Sequence, residues 1–149
     1  MKVKRLLKDA VLPQQAHIGD AGFDLVYTKP IELAPLQRLQ AMLGYSVEIP
    51  ENHVGLVCPR SGLALKMGLT VLNAPGIIDS GYRGELGVIL INLSNQNISL
   101  PPKTKIAQMV VTPCISERVE LVNSLSSSDR GEDGFGSTDN SVFESDSEW

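Results

Sequence analysis

What most constrains this chain is its punctuation. Short apolar stretches recur at residues 25–27, 45–49, 54–57, 69–72, 88–91 and 106–111, and each is cut off by Gly, Pro or Asn. Repeated short runs between turn residues read as strands of a sandwich or barrel. Aromatic residues make up only 5% of the chain, while Gly numbers 13 and Pro 9. A core must therefore come from Val, Ile and Leu packed between frequent turns, and the expected class is all-β. A length of 149 residues gives room for one core.

Within that pattern, Tyr45-Ser46-Val47-Glu48-Ile49 alternates with period two, as a half-buried strand does. Val88-Ile89-Leu90-Ile91 is continuously apolar, which predicts burial on both faces near the centre of a sheet. One short helix is predicted over residues 61–68, with Ser61 as its cap and Gly68 as its stop. From Ser124 onward the chain turns Ser-, Gly- and Asp-rich and nearly loses its aliphatics, the composition of a disordered tail. Residues 1–128 are expected to form the β-domain and residues 129–149 a tail. Phe135, alone between Gly134 and Gly136, has no local core to join.

Charge and cysteine usage narrow the function classes. There are 12 basic against 10 acidic residues before Asp129, a net of +2, and 1 against 7 from Asp129 onward, a net of −6. A body this weakly basic lacks the footprint of a nucleic-acid binder, yet a few placed arginines suit a small polyanion such as a nucleotide. The basic start resembles a signal peptide, but Lys8 and Asp9 interrupt it, and no apolar run approaches membrane-spanning length. Neither nucleic acid nor membrane is an expected partner. Cys58 and Cys114 are far apart and read as two buried free thiols, which implies a reducing cytoplasm. His17 and His53 flank no nucleophile motif and read as surface-loop residues, so acyl transfer is poorly supported.

Three segments combine groups that carry chemistry. Pro59-Arg60-Ser61-Gly62 follows a strand and opens the predicted helix, so backbone N–H groups, a hydroxyl and a guanidinium converge as a phosphate site would require. The plain alternative is an ordinary helix cap beside a solvated arginine. Residues 73–84 read as a hairpin in which Asp79 either closes a turn or orients a water as general base, and Tyr82 either covers an edge or packs on a ligand. Residues 129–138 hold an arginine, glycines, an aromatic face and two hydroxyls, the parts of a segment that closes over a nucleotide.

In order, Asp20-Ala21-Gly22-Phe23-Asp24-Leu25, Pro59-Arg60-Ser61-Gly62-Leu63-Ala64, Gly76-Ile77-Ile78-Asp79 with Tyr82-Arg83-Gly84, Ile106-Ala107-Gln108, and Arg130-Gly131 with Gly134-Phe135-Gly136-Ser137-Thr138 resemble the five motifs of the trimeric dUTPase family. The resemblance spans nearly the whole chain. It implies a jelly-roll-like subunit with one short helix and a flexible C-terminal arm, assembled as a homotrimer with active sites at its interfaces. It further implies hydrolysis of dUTP to dUMP and pyrophosphate, which keeps uracil out of DNA and supplies dUMP for thymidylate synthesis.

By the same resemblance, Asp79 orients the water that attacks the α-phosphorus and Tyr82 stacks on the deoxyribose, rejecting ribonucleotides. Asn73, Ile77, Ile78 and Gly87 border the uracil. Arg60, Ser61, Gly62 and Gln108 bind the triphosphate, with Asp24 beside them as a supporting acid or as an ion-pair partner of Arg60. Arg130, Phe135, Gly136, Ser137 and Thr138 form the closing arm. No residue ligates metal directly, because Mg²⁺ arrives on the phosphates and keeps its waters.

The chain departs from the family's pattern at Gly81, where a second aspartate is common, and at Asp133 and Asp139, where glycine is common. The acidic extension at residues 140–149, with Phe143 and Trp149, lies beyond the resemblance. A dCTP deaminase, which shares the fold, is expected to carry a glutamate where Ile89 stands. A non-catalytic dUTP sensor, coupled to a protein partner through that extension, is the alternative of a different class.

Overall fold

A computed structural model of the chain describes residues 1–132. Residues Met1–Ser116 form one compact unit and the chain from Glu117 a second. The first unit is all-β apart from one helix, in the order β1 (Lys2–Arg5), β2 (Gly22–Tyr27), β3 (Ile31–Leu33), β4 (Arg38–Glu48), β5 (His53–Cys58), α1 (Ser61–Met67), β6 (Leu69–Val71), β7 (Gly76–Asp79), β8 (Glu85–Asn92), β9 (Ile98–Leu100) and β10 (Thr104–Pro113).

Two four-stranded antiparallel sheets, β1-β4-β8-β6 and β2-β10-β5-β7, make a jelly-roll-like unit, and β3 pairs with β9 in a small third sheet. Ala41, Tyr45, Leu86 and Leu90 from the first sheet and Leu25, Ala107 and Met109 from the second are fully buried in one cluster. The aliphatic residues that the composition demanded are the ones that fill it. Burying each such leucine contributes about 1.5–3 kcal/mol.

Every predicted apolar stretch falls on a strand, although Ile49 and Leu72 lie just past the ends of β4 and β6, and other details differ. β8 is an inner strand, as its apolar run predicts, yet Ile89 stands 38% exposed on the outer face. Tyr45, Ser46 and Val47 are all buried, so this part of β4 is not the half-exposed strand that its alternation suggests. The pairing of β4 with β8 shifts register between Met42 and Ser46, and such an irregularity interrupts the strict alternation of faces. The Tyr45 hydroxyl is buried with no hydrogen-bond partner among the described residues, and burial pushes its pKa above the usual range.

Residues 73–84 are not a hairpin. β7 pairs with β5 in one sheet, whereas β8 pairs with β4 and β6 in the other, so the stretch carries the chain between sheets. Strands β1, β3 and β9 escape a sequence reading because they are three or four residues long and hold only one or two apolar residues each, never side by side. β1 holds a single apolar residue, Val3, and is tied to the end of β4 by Lys2 on Glu48 at 2.7 Å. That ion pair also lowers the Glu48 pKa.

The predicted helix forms over Ser61–Met67, but the cap position belongs to Arg60, which is extended (φ −96°, ψ 127°) and makes no side-chain capping bond. Ser61 is therefore the first helical residue rather than the cap. Gly68 ends the helix in the left-handed region at φ 67°, and a β-carbon there would lie 3.0 Å from the Ser94 backbone nitrogen.

Cys58 is half-buried and Cys114 exposed, so the expected pair of buried thiols is corrected, although both are free. Strand β10 continues to the surface at Pro113, which leaves Cys114 beyond the sheet. His17 lies in an exposed loop, but His53 opens β5 half-buried, with a ring nitrogen 2.9 Å from the Glu51 carbonyl.

In the second unit, residues 117–132 contain neither strand nor helix. A turn at Gly131 (φ 55°) is closed by its N–H, which donates to the Ser128 carbonyl at 3.1 Å. The predicted disorder of the tail beyond residue 132 falls outside the described residues, as do Phe143 and Trp149.

Candidate active site

Strand β5 runs to Cys58, where Pro59 removes a backbone donor and Arg60 turns the chain into α1. Strand β10 lies beside β5, with Gln108 opposite Cys58 on one side and opposite Asp24 of β2 on the other. This three-strand junction and the start of α1 enclose a cavity of about 480 Å³, lined by Arg60, Ser61, Gly62, Lys66, Lys105 and Gln108 among others. Three of those six residues, Arg60, Lys66 and Lys105, are cationic.

Asp24 is 8% exposed and joins two of the three cations. One carboxylate oxygen accepts from the Arg60 guanidinium, and the other lies 2.7 Å from the Lys105 ammonium. A carboxylate this buried requires such partners, and it fixes the spacing of the two cations in return. Gln108 donates to the Pro59 carbonyl at 3.1 Å, which points its amide at the same turn. Gly22 makes that orientation accessible: a β-carbon on Gly22 would lie 2.6 Å from the Gln108 side-chain oxygen.

A separate pocket of about 210 Å³ lies where β7 passes into β8. Ile77, Ile78, Asp79, Tyr82 and Gly87 line it, together with Met42 and Ile89. The Tyr82 N–H donates to the Asp79 carbonyl at 3.0 Å, making a tight turn, and the Tyr82 hydroxyl donates to the Glu85 carbonyl at 2.9 Å. The two bonds hold the ring over the pocket although Tyr82 is 43% exposed. Ile77 is 57% exposed, so the pocket's apolar wall is open. The arrangement offers the Asp79 carboxylate, one aromatic ring and the backbone of β8 to a ligand with a flat polar edge, while Glu85, the pocket's other acid, accepts from the Gly44 N–H at 2.7 Å.

The structure thus gathers the sequence-predicted residues into two groups. Arg60, Ser61, Gly62 and Gln108 line the first cavity, with Asp24 beneath it, while Ile77, Ile78, Asp79, Tyr82 and Gly87 line the second pocket. The two share no lining residue. Asn73 lines neither; its side chain packs beside Gly76. Arg130 is exposed in the second unit, and Phe135, Gly136, Ser137 and Thr138 lie outside the described residues. Sequence reasoning passed over Lys105. The available signal was the adjacent apolar pair Ile106-Ala107, an interruption of strand alternation next to a lysine.

Among the described residues no group of three His, Cys, Asp or Glu side chains is placed to hold a metal ion. Asp24, the buried acid of the cavity, is already engaged by two cations. A hard cation that enters with its own anionic ligands and waters fits this donor set, whereas one caged by protein carboxylates does not.

Comparison with known proteins agrees over most of the chain. The profile of the dUTPase family matches residues 8–139. Deoxyuridine 5'-triphosphate nucleotidohydrolase of Clostridium tetani is 51% identical over 138 residues, covering 93% of this chain and 95% of that protein. The dUTPase of Staphylococcus bacteriophage 80alpha, solved with dUpNHpp, superposes with a TM-score of 0.84 at 31% identity, over 92% of this chain and 96% of that one. A mutant dUTPase from phage phi11 of S. aureus, whose structure describes the coordination of a structural Mg(II) ion, superposes with a TM-score of 0.78 at 26% identity, over 85% of this chain and 98% of that one. With its first four motif segments distributed over a two-sheet jelly-roll-like unit and a family match from residue 8 to 139, the chain belongs to the dUTPase family.

Proposed function

We propose that this chain hydrolyses dUTP to dUMP and pyrophosphate, keeping uracil out of DNA and supplying dUMP for thymidylate synthesis. The observation that carries this reading is the separation of a cation-lined cavity from a small pocket that holds an aromatic ring, Tyr82, and two acids, Asp79 and Glu85, of which Glu85 is already engaged by the Gly44 N–H. A nucleoside triphosphate needs both environments. The relative of 51% identity is named as a nucleotidohydrolase of deoxyuridine 5'-triphosphate.

In the proposed mechanism Asp79 accepts a proton from water as the water oxygen bonds to the α-phosphorus. The bond from that phosphorus to the bridging oxygen breaks, and pyrophosphate leaves in line. Arg60, Gln108, Ser61 and the amide of Gly62 hold the phosphate chain, so the enzyme's work is mostly positioning and charge stabilisation. Tyr82 lies against the sugar and leaves no room for a 2′-hydroxyl. Ile77, Ile78 and the backbone at Gly87 border the uracil, and a base with the wrong polar edge leaves buried groups unpaired. Asn73 supports this base-binding turn from beside Gly76.

Mg²⁺ is proposed as the cofactor. It would be held by the substrate's phosphates and water rather than by this chain's side chains, and when bound it neutralises phosphate charge. The working form is a homotrimer in which the open wall around Ile77 meets another copy, so that the two half-sites come together across an interface. Residues 129–149 supply the arm, with Arg130, Phe135, Gly136, Ser137 and Thr138 closing on nucleotide, followed by the acidic extension. The proposed setting is the cytoplasm. Among the described residues no helix is long and apolar enough to cross a membrane.

The test is Mg²⁺-dependent pyrophosphate release from dUTP, with dTTP, dCTP and UTP in parallel. Release from dUTP alone is expected. Ammonia from dCTP, or dUTP binding with no turnover, would overturn the assignment.

A further inference from the structure

Strand β10 breaks its own alternation at the place where it passes the cavity. In a regular strand, residues three apart point to opposite faces, so Lys105 and Gln108 should not share a site. Pairing with β2 instead shifts between Lys105 and Ala107: Lys105 lies opposite Val26 and Ala107 opposite Leu25, leaving Ile106 unmatched. Ile106 and Ala107, adjacent in the chain, are both buried, at 2% and 0% exposure, in keeping with a break in the alternation. This is a β-bulge, whose physical effect is to re-aim the side chains beside it. Its result here is that Lys105 and Gln108 line the same cavity as Arg60 and Ser61.

We propose that Lys105 is a direct ligand of the substrate's phosphate chain, brought to the cavity by the bulge at Ile106 and set against Arg60 by their shared carboxylate, Asp24. The inference rests on reading this cavity as the triphosphate site. Asp24 takes each cation on a different oxygen, so it holds the two positive groups side by side. A lysine ammonium has three donors and this carboxylate engages one, leaving donors for a phosphate oxygen. The Lys105 side chain is half-exposed, open to the cavity rather than committed to the core. Asp24 itself is a positioning residue, since its two oxygens are each engaged by a cation and it borders an adjoining pocket rather than the cavity itself.

Binding rather than turnover tests the assignment. In the full chain, the non-hydrolysable analogue dUpNHpp and the nucleoside deoxyuridine are titrated against the unaltered protein, Lys105→Gln and Lys105→Arg, with binding read by NMR shift changes. A charge-assisted hydrogen bond to phosphate is worth about tenfold to a hundredfold in affinity. Lys105→Gln is therefore expected to weaken dUpNHpp by that factor and to leave deoxyuridine unchanged, and Lys105→Arg to restore most of the loss. Unchanged dUpNHpp affinity in Lys105→Gln, or equal losses for nucleotide and nucleoside, would overturn the role of Lys105 while leaving the dUTPase reading intact. Failure of the unaltered chain to bind dUpNHpp would overturn that reading and this one with it.

Discussion

In the cavity at the start of α1, Arg60 and Lys105 are both held by one buried carboxylate and Gln108 is tied to the Pro59 carbonyl. In the pocket between β7 and β8, Asp79 makes no side-chain hydrogen bond among the described residues, and Ile77 and Ile89 turn apolar surface outward. The first group is organised within a single chain. The second presents Asp79, the proposed base, beside an open apolar face, which the proposed assembly would enclose. Binding of the phosphates and chemistry on them should therefore be separable, because different parts of the chain carry them.

The sharpest break in the comparison is Asp79→Asn. If the carboxylate serves only as base, turnover on dUTP falls about 10²–10⁴-fold, while dUpNHpp affinity stays within a few-fold because the cation-lined cavity is untouched. Stopped-time pyrophosphate assays beside dUpNHpp titrations read both quantities. Parallel collapse of binding and turnover would show that the two half-sites are not independent and would remove the basis of the comparison.

A smaller effect tests how the organised half is built. Gly22→Ala places a methyl group against the Gln108 side-chain oxygen, and the glutamine must move, since its far end is the flexible partner. We expect roughly tenfold weaker dUpNHpp binding, the worth of one hydrogen bond to a charged phosphate. No further loss should follow when Gly22→Ala is added to Gln108→Ala. Additive losses in the double variant would mean that Gly22 acts through the backbone rather than through Gln108.

The same contrast explains what could be read from the sequence. Core strands announce themselves through Val, Ile and Leu between turn residues, and Arg60, Asp79 and Tyr82 stand in compact motifs. The residues that escaped depend on register. Lys105 reaches the cavity only because Ile106 is bulged, and a bulge is a property of the pairing with β2 rather than of β10 alone. Likewise residues 73–84 look like a hairpin because turn residues separate two apolar runs, but which sheet each run joins is decided by β5 and β4, far away in sequence. The exposure of Ile89 and the burial of Ser46 follow from layers and register that local alternation cannot describe.

The smallest predicted effect concerns Ser61, where a cap and a ligand would behave differently. A serine that caps a helix costs about 1 kcal/mol when replaced by Ala, because an N–H of the first turn loses its partner. Here the cap position is Arg60 and no side-chain capping bond exists, so Ser61→Ala removes no such contact. Ser61 is exposed as the first helical residue and borders the cation-lined cavity. Thermal stability should stay within about 0.5 kcal/mol, while dUpNHpp binding weakens about twofold to tenfold, as expected for one hydroxyl contact. Loss of stability with unchanged binding would return Ser61 to a structural role, and the organised half-site would then rest on Arg60, Lys105 and Gln108 without the hydroxyl.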